Sequence, residues 1–272
     1  MTRLSSHHRL VASVAAVVLL AAACGDDDDS SSATDPSTAD TAEVTTDPVA
    51  ETTQPSTDDT TPPPATEAPT TEAPTTEPAA MFEGDLTGTF SVDDAVCVDA
   101  ADVGGSYFRM LQPGGTPEGG PYIENFDSVC TDTTFSGLSA GTDGGLITGD
   151  WQPAPDPAYD DDGNALAAAV FQPVLFFAVD FGGATDPEEA VPMMTATGGV
   201  LSADLAAFTA YYGGDSFNQG APKPDGSGDA PTGTIDPETG AYVLDWTSQI
   251  TGGAFNEFVG VWHLEGTFTA AS

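Results

Sequence analysis

Phe258-Val-Gly-Val-Trp-His-Leu-Glu-Gly-Thr-Phe268, close to the end of the chain, is the stretch that decides the fold prediction. Its large apolar residues fall on one face of an alternating pattern: Phe258, Trp262, Leu264 and Phe268. Because successive side chains of a β-strand point to opposite faces, this pattern predicts a long strand with one buried face. His263 and Glu265 then lie on the opposite face.

The last part of this stretch, Leu264–Phe268, has the pattern L-x-G-T-F, which also occurs at Leu86–Phe90 with the same inward parity. We therefore predict that the first and last strands lie side by side or in equivalent places and close the sheet. A chance likeness between two strands is the alternative.

From residue 81 onward, short apolar runs are separated by clusters of Gly, Pro, Asp and Asn, which is typical of an all-β domain. We predict a single β-sandwich-like, jelly-roll-like domain over residues 81–272. Val174–Phe181 is apolar on both faces for most of its length and is predicted to be a central, doubly covered strand. Ala241–Thr247 is predicted to turn Tyr242, Leu244 and Trp246 inward. Ser202–Tyr212 is the one helix candidate, and a strand with a bulge is the alternative.

The charge of the chain is strongly unbalanced, with 43 acidic and 4 basic residues and a formal net charge of -39 among 272 residues. Residues 81–272 contain 29 carboxylates but only Arg109 and Lys223 as basic residues, so their formal charge is -27. Such a surface repels nucleic acid and anionic headgroups and attracts cations or basic partners. Solubility in a salty medium is the simpler interpretation of the same charge.

The N-terminal residues have the organisation of a secretion signal. Arg3 and Arg9 precede the apolar run Leu10–Cys24, which is too short to span a bilayer. The segment Leu20-Ala-Ala-Ala-Cys24 resembles the lipobox of bacterial lipoproteins, which implies that residues 1–23 are removed and that Cys24 is lipidated. An ordinary cleaved signal with an incidental cysteine is the alternative. The expected location is the extracytoplasmic face of the cell membrane, at the cell surface.

Residues 24–80 carry the anchor cysteine and an acidic segment rich in Thr and Pro, with very few apolar residues to bury. Such a segment is predicted to be a disordered linker between the membrane and the domain. With Cys24 lipidated, Cys97 and Cys130 are the remaining cysteines, and an oxidising compartment favours a disulfide between them.

Three groups of residues in the domain could carry chemistry. His263 and Glu265 could bind a metal or shuttle a proton, although a surface pair is the better interpretation. Asp160, Asp161, Asp162 and Asn164 form an oxygen-rich loop that could bind calcium, and a solvated turn is the alternative. The candidates for an exposed aromatic platform that binds sugars are Trp151, Tyr211 and Tyr212. Arg109 is expected to pair with a carboxylate across the sheet.

Three stretches resemble segments of uncharacterised secreted bacterial proteins, including many with a PEP-CTERM sorting tail: Gly105–Pro113, Phe217–Gly220, and Asp245–Asn256 with Gly260–Trp262. Those proteins often carry a W-[ST]-S-x-I-x-G-G-P-F-N-G-x-x-G-x-W pattern, from which this chain departs at Ala254 and Glu257. The resemblance implies a surface-displayed β-domain and brings no active-site residues.

These features favour a lipid-anchored cell-surface protein that works as a non-enzymatic display or binding module. The expected partners are the membrane, through Cys24, and an extracellular polysaccharide or a basic protein, but not nucleic acid. No cofactor is expected apart from calcium. The first alternative is a carbohydrate-binding module, which would be calcium-dependent if the Asp160–Asn164 loop binds the ion. The second is an extracellular hydrolase that uses paired carboxylates.

Overall fold

The computed structural model describes residues 82–272. The predicted signal peptide, the anchor Cys24 and the linker over residues 24–80 lie outside this range. The described residues contain fifteen β-strands and no helix, which confirms the all-β prediction. No helix that could cross a membrane was found among them. The strands are β1 Gly84–Leu86, β2 Gly88–Ser91, β3 Tyr107–Thr116, β4 Gly120–Tyr122, β5 Ser136–Gly137, β6 Gly145–Thr148, β7 Val174–Phe176, β8 Val179–Thr185, β9 Met193–Thr197, β10 Val200–Asp204, β11 Phe208–Tyr212, β12 Asp215–Asn218, β13 Thr232–Ile235, β14 Ala241–Gln249 and β15 Val259–Ala270.

The large antiparallel sheet contains eleven strands and is built around β15. On one side β15 pairs with β14 over nine residues. On the other side it pairs first with β3 and then with β2, where Phe268 lies opposite Phe90. The repeated L-x-G-T-F pattern therefore does mark neighbouring strands, as predicted.

The large sheet returns nearly to its own beginning. The pairing order runs β1-β9-β10-β13-β14-β15-β2, and β1 is separated from β2 only by Thr87. The result is a nearly closed, barrel-like sheet. The smaller antiparallel sheet has the order β12-β11-β8-β7, and its buried side chains join those of the large sheet in one core.

The predicted inward parity is confirmed along β14 and β15. Trp262 and Leu264 are each 1% exposed, and Tyr242, Leu244, Trp246 and Phe268 are also buried. The indole rings of Trp246 and Trp262 stack with a centroid distance of 5.7 Å. Both indole N–H groups donate to Gln219: Trp246 to the main-chain oxygen at 2.9 Å and Trp262 to the side-chain oxygen at 3.2 Å. Both buried indole N–H groups therefore have partners, as burial requires.

The prediction of a single central strand over Val174–Phe181 is wrong. The chain forms a hairpin, in which Phe177 and Ala178 make the turn between β7 and β8. Strand β7 lies at the edge of the smaller sheet, and Phe177 is 38% exposed. The run has one buried set of apolar side chains, Phe176 and Phe181, and its other apolar side chains include the exposed Leu175 and Phe177.

The helix candidate over Ser202–Tyr212 is also wrong. This segment is the end of β10, a turn and all of β11. Within the turn the Asp204 carboxylate accepts a hydrogen bond from the N–H of Ala206, and Leu205 is fully buried. The apolar residues that would share one helical face are Leu205, Phe208 and Tyr212, and in the structure Leu205 lies in the turn while the other two lie in β11.

The predicted disulfide between Cys97 and Cys130 is present, with a sequence separation of 33 residues. It connects the segment that precedes β3 with the segment that precedes β5. The two half-cystines are 3% and 4% exposed.

Candidate functional site: an aromatic pocket and its rim

A small cavity of about 40 Å³ lies where β8 and β11 of the smaller sheet meet β3 and β15 of the large sheet. Its lining is aromatic and aliphatic except for the amide of Gln219 and the hydroxyl of Tyr212. The lining residues are Phe108, Met110, Phe176, Phe181, Ala210, Tyr212, Phe217, Gln219, Ile250, Phe255 and Trp262. The Gln219 side chain is already engaged, because it donates to Asn218 and accepts from Trp262. The cavity therefore presents an apolar surface, which we call the aromatic pocket.

The mouth of the aromatic pocket continues into a group of three rings, the exposed Phe126 and Phe177 and the half-buried Phe255, which we call the rim. Phe177 stacks on Phe255 with a centroid distance of 6.2 Å and contacts Phe126 at 6.4 Å. Phe126 is 75% exposed. Phe255 belongs to both the rim and the pocket, so the exposed apolar surface is continuous with the cavity.

The tip of the β7–β8 hairpin holds Phe177 in an unusual backbone conformation. Phe177 has φ 48° and Ala178 has φ 61°, and both values lie in the left-handed region. A two-residue hairpin turn of this type normally carries Asn and Gly, because a Cβ atom is unfavourable there. Backbone strain of this kind is frequent at functional sites.

Neighbouring side chains hold the strained tip in place. The N–H of Ala178 donates to the Asp127 carboxylate at 2.6 Å, and the Asn125 amide donates to the Leu175 carbonyl at 2.9 Å. Asn125 is 1% exposed, and its amide also donates to the hydroxyl of Ser136. The segment 125–127 thus fixes both the hairpin and the orientation of the rim.

His263 lies on the outer face of β15, as predicted, and pairs with Glu265 at 2.9 Å. Sequence reasoning missed Asp245 of the neighbouring strand, whose carboxylate lies 2.6 Å from the other ring nitrogen. Burial lowers the pKa of His263, but the hydrogen bonds to Asp245 and Glu265 outweigh it, so that the pKa is raised above its usual value. The imidazole also stacks on Tyr107 at 4.6 Å. Both ring nitrogens are occupied, so the cluster fits a structural ion pair.

Arg109 does not pair with a carboxylate across the sheet, and that expectation is wrong. Its guanidinium lies between two rings, 3.3 Å from the centroid of Tyr122 and 4.0 Å from that of Phe135. It donates to the hydroxyl of Thr134 at 2.7 Å, and in residues 82–272 no carboxylate forms an ion pair with it. Stacking on aromatic faces suits the planar, weakly hydrated guanidinium.

The three residues of the predicted aromatic platform are separated. Tyr212 lines the aromatic pocket, whereas Tyr211, the next residue of β11, contacts Tyr159 at 5.8 Å. Trp151 is 41% exposed and donates from its indole nitrogen to the Glu189 carbonyl. Only Tyr212 of the three therefore belongs to the pocket, and sugar binding at Trp151 or Tyr211 stays a prediction.

The Asp160–Asn164 loop forms a compact turn stabilised by its own hydrogen bonds. One Asp160 carboxylate oxygen accepts from the N–H groups of Asp162 and Asn164, and the other accepts from the Asn164 amide. Hydrogen bonds from Asn164 hold the pKa of Asp160 below its usual value. Asp161 and Asp162 are exposed. Across residues 82–272, no three His, Cys, Asp or Glu side chains are grouped to hold a metal ion. Calcium binding by this loop stays a prediction.

The stretches that carry the resemblance to secreted bacterial proteins converge on the aromatic pocket. Gly105–Pro113 supplies Phe108 and Met110, and Phe217–Gly220 supplies Phe217 and Gln219. Asp245–Asn256 supplies Ile250 and Phe255, and Gly260–Trp262 supplies Trp262. Sequence reasoning missed the pocket and the rim, because Phe126 is an isolated aromatic residue and Phe177 lies in a run interpreted as buried.

No protein-family model matches this chain, and no curated protein or solved structure matches it either.

Proposed function

We propose that the protein is a lipid-anchored, non-enzymatic binding module of the cell surface, whose aromatic pocket and rim hold an aliphatic side chain of a basic protein partner. The observation that carries this proposal is Phe177, an exposed aromatic residue held in a strained turn at the mouth of an apolar cavity.

The lining of the pocket favours binding over catalysis. Protein–ligand sites are mostly apolar and concave, with few polar groups to set orientation. Here the lining includes no carboxylate and no histidine, and its polar groups are the Tyr212 hydroxyl and the engaged Gln219 amide. A hydrolase that uses paired carboxylates would need a different site.

The size of the pocket favours one small apolar group. A water molecule needs roughly 10–15 Å³ on this measure, and a cavity of about 150 Å³ holds benzene. The value of about 40 Å³ is too small for an aromatic ring but suits the end of a branched aliphatic side chain. The rim would then cover that side chain and exclude water, as the periphery of a binding hot spot does.

The charge of the domain favours a basic partner. The Asp127 carboxylate fixes the rim hairpin, and Glu257 lies two residues from Phe255. With a formal charge of -27 over residues 81–272, electrostatic steering favours a partner rich in Lys and Arg. A second copy of this chain would carry the same charge, and mutual repulsion disfavours it as the occupant.

The test uses the full-length protein and three fluorescent peptides at physiological salt. The peptides contain a leucine flanked by lysines, an alanine flanked by lysines, and a leucine flanked by glutamates. Fluorescence anisotropy should show the leucine–lysine peptide binding at least roughly tenfold more tightly than the other two.

Two variants separate the rim from the general charge of the surface. Phe177→Ala should abolish the preference for leucine, whereas Ala178→Gly keeps every ring of the rim and should retain it. Equal binding of the leucine–lysine and alanine–lysine peptides, unchanged in Phe177→Ala, would mean that the acidic surface binds cations without using the pocket. That outcome would overturn the proposal, and so would binding of the leucine–glutamate peptide with equal affinity.

A further inference from the structure

A second site lies in a polar groove around Lys223, and we infer that this groove binds a single acidic sugar unit, a uronate. The uronate carboxylate would meet the Lys223 ammonium, and its hydroxyl groups would meet the polar side chains of the opposite wall. The groove and the aromatic pocket share no lining residue, so this inference is independent of the proposed function.

The groove has a volume of about 670 Å³, within the usual range of roughly 300–1,000 Å³ for ligand sites. One wall comes from the end of β12 and the connection that follows it, with Asn218, Lys223 and Asp225. The other wall comes from β14 and the segment that follows it, and it carries Gln249 and Thr251.

The position of Lys223 is fixed by its own loop. Its N–H donates to the Ser227 carbonyl at 2.7 Å, and its carbonyl accepts from the N–H of Gly226 at 2.7 Å. Its ammonium donates to the Asn218 carbonyl at 2.5 Å. An ammonium has three donors, so two remain for other partners.

Lys223 has no carboxylate partner, although the domain is rich in carboxylates. Every ion pair among residues 82–272 involves His263, and none involves Lys223. Burial lowers the pKa of Lys223 to about 8, and attraction to Asp225 opposes this only in part. A cation that is partly desolvated and lacks a counter-ion gains most from a ligand that brings a carboxylate.

The opposite wall indicates what else the ligand carries. Thr247, Gln249 and Thr251 are exposed in the groove and offer hydroxyl and amide groups to sugar hydroxyls. The buried Ser248 is already engaged, because its hydroxyl donates to the Gly220 carbonyl at 2.9 Å. A hydroxylated ligand can therefore bond to this wall as well as to Lys223.

The surrounding charge limits the ligand to one negative charge. Asp225 lines the same groove, and the domain as a whole is strongly acidic. A phosphate, a sulfated sugar or a polyuronate would bring several negative charges against this field. One uronate brings a single charge that Lys223 can neutralise.

The test titrates the full-length protein with glucuronate, glucose and acetate at pH 7, using isothermal titration calorimetry. We expect glucuronate to bind roughly tenfold more tightly than either glucose or acetate, because only glucuronate uses both walls. The affinity for glucuronate should fall as the pH rises from 7 to 9 and Lys223 loses its proton. This pH series needs no variant, so it stays informative if a substitution impairs folding.

Two variants complete the test. Lys223→Gln should weaken glucuronate binding to the level of glucose. Asp225→Asn is the matched variant that removes one negative charge from the groove, while asparagine keeps the side-chain oxygen that accepts from the Ser227 N–H. It should strengthen glucuronate binding severalfold by removing repulsion.

Acetate binding as tight as that of glucuronate would refute the sugar assignment. An affinity that is independent of pH and of Lys223, or no glucuronate binding at all, would refute the site itself. Peptide binding at the aromatic pocket is measured separately and does not depend on these outcomes.

Discussion

Ala178→Gly should stabilise the domain, because it removes strain from the β7–β8 turn without removing a ring of the rim. Ala178 has φ 61°, a conformation that glycine adopts without penalty. The N–H that donates to Asp127 is retained in the variant. The substitution therefore isolates the backbone strain from the aromatic contacts of Phe177.

The expected gain follows from two opposing contributions. Relief of the left-handed conformation contributes about 1–2 kcal/mol. The greater freedom of glycine in the unfolded chain costs roughly 0.5–1 kcal/mol. The free energy of unfolding should therefore rise by about 0–1.5 kcal/mol, and the middle of this range, about 0.75 kcal/mol, corresponds to a melting temperature about 1.5–3 °C higher for a domain of this size.

Urea denaturation at 25 °C, followed by tryptophan fluorescence, measures this difference. The midpoint should move to higher urea while the slope stays the same. A useful comparison is Ala184→Gly, since Ala184 is a fully buried residue of β8 and has no positive φ, so glycine there should destabilise. If Ala178→Gly lowered the midpoint, the turn would not be strained, and the structural argument for a functional role of Phe177 would fail.

Two further predictions concern the stability of the domain. Reduction of the Cys97–Cys130 disulfide, which spans 33 residues, should lower the free energy of unfolding by about 3–4 kcal/mol, because the unfolded chain gains conformational entropy when the loop is opened. A melting temperature unchanged by reductant in calorimetry would contradict this. The raised pKa of His263 means that its ion pairs stabilise the domain fully below the unfolded pKa of about 6.5, and that this contribution is lost as the pH rises through the higher folded pKa. Urea midpoints of the native protein should therefore fall relative to those of His263→Gln between pH 6 and pH 8, and parallel pH profiles of the two proteins would disprove the linkage.

The parts of the fold that could be predicted are those that a strand encodes locally. Alternation in Phe258–Phe268 identifies the buried face of β15, and the burial of Trp262 and Leu264 agrees with it. The repeated L-x-G-T-F pattern predicted the β2–β15 pairing, in which the two phenylalanines of the repeat, Phe90 and Phe268, lie opposite each other. The disulfide followed from the cysteine count. Each of these inferences uses residues that are close in sequence or few in number.

The parts that could not be predicted depend on which strands become neighbours. Asp245 meets His263 only through the register of β14 on β15, and Arg109 finds the rings of Tyr122 and Phe135 through the pairing of β3 with its neighbours. An apolar run such as Val174–Phe181 does not reveal by itself whether its rings are buried or exposed. The rim was missed for this reason, since its members lie on three separate segments of the chain.

The structure explains two glycine positions of the W-[ST]-S-x-I-x-G-G-P-F-N-G-x-x-G-x-W pattern. A Cβ atom at Gly260 would lie 2.2 Å from the side-chain oxygen of Gln219, so glycine at this position lets Gln219 reach the indole of Trp262. Position 257, where the pattern has glycine, has φ 72° and carries glutamate in this chain. The glycine at position 260 thus leaves room for the Gln219 side chain, and a glycine at position 257 would suit the left-handed backbone conformation there.

The residues of the aromatic pocket and those of the rim should therefore differ in what their substitution changes. Gln219 and the pattern residue Trp262 line the aromatic pocket, and we call this pair its floor. The pattern residue Trp246 supports the floor from behind, because its indole stacks on Trp262 and donates to the Gln219 carbonyl. Phe126 and Phe177 lie outside every stretch that carries the resemblance. Substitutions at the floor should therefore reduce stability and binding together, because the floor is also part of the core. Substitutions of Phe126 or Phe177 should change the choice of ligand while the fold persists, and the peptide series on Phe177→Ala measures that separation directly.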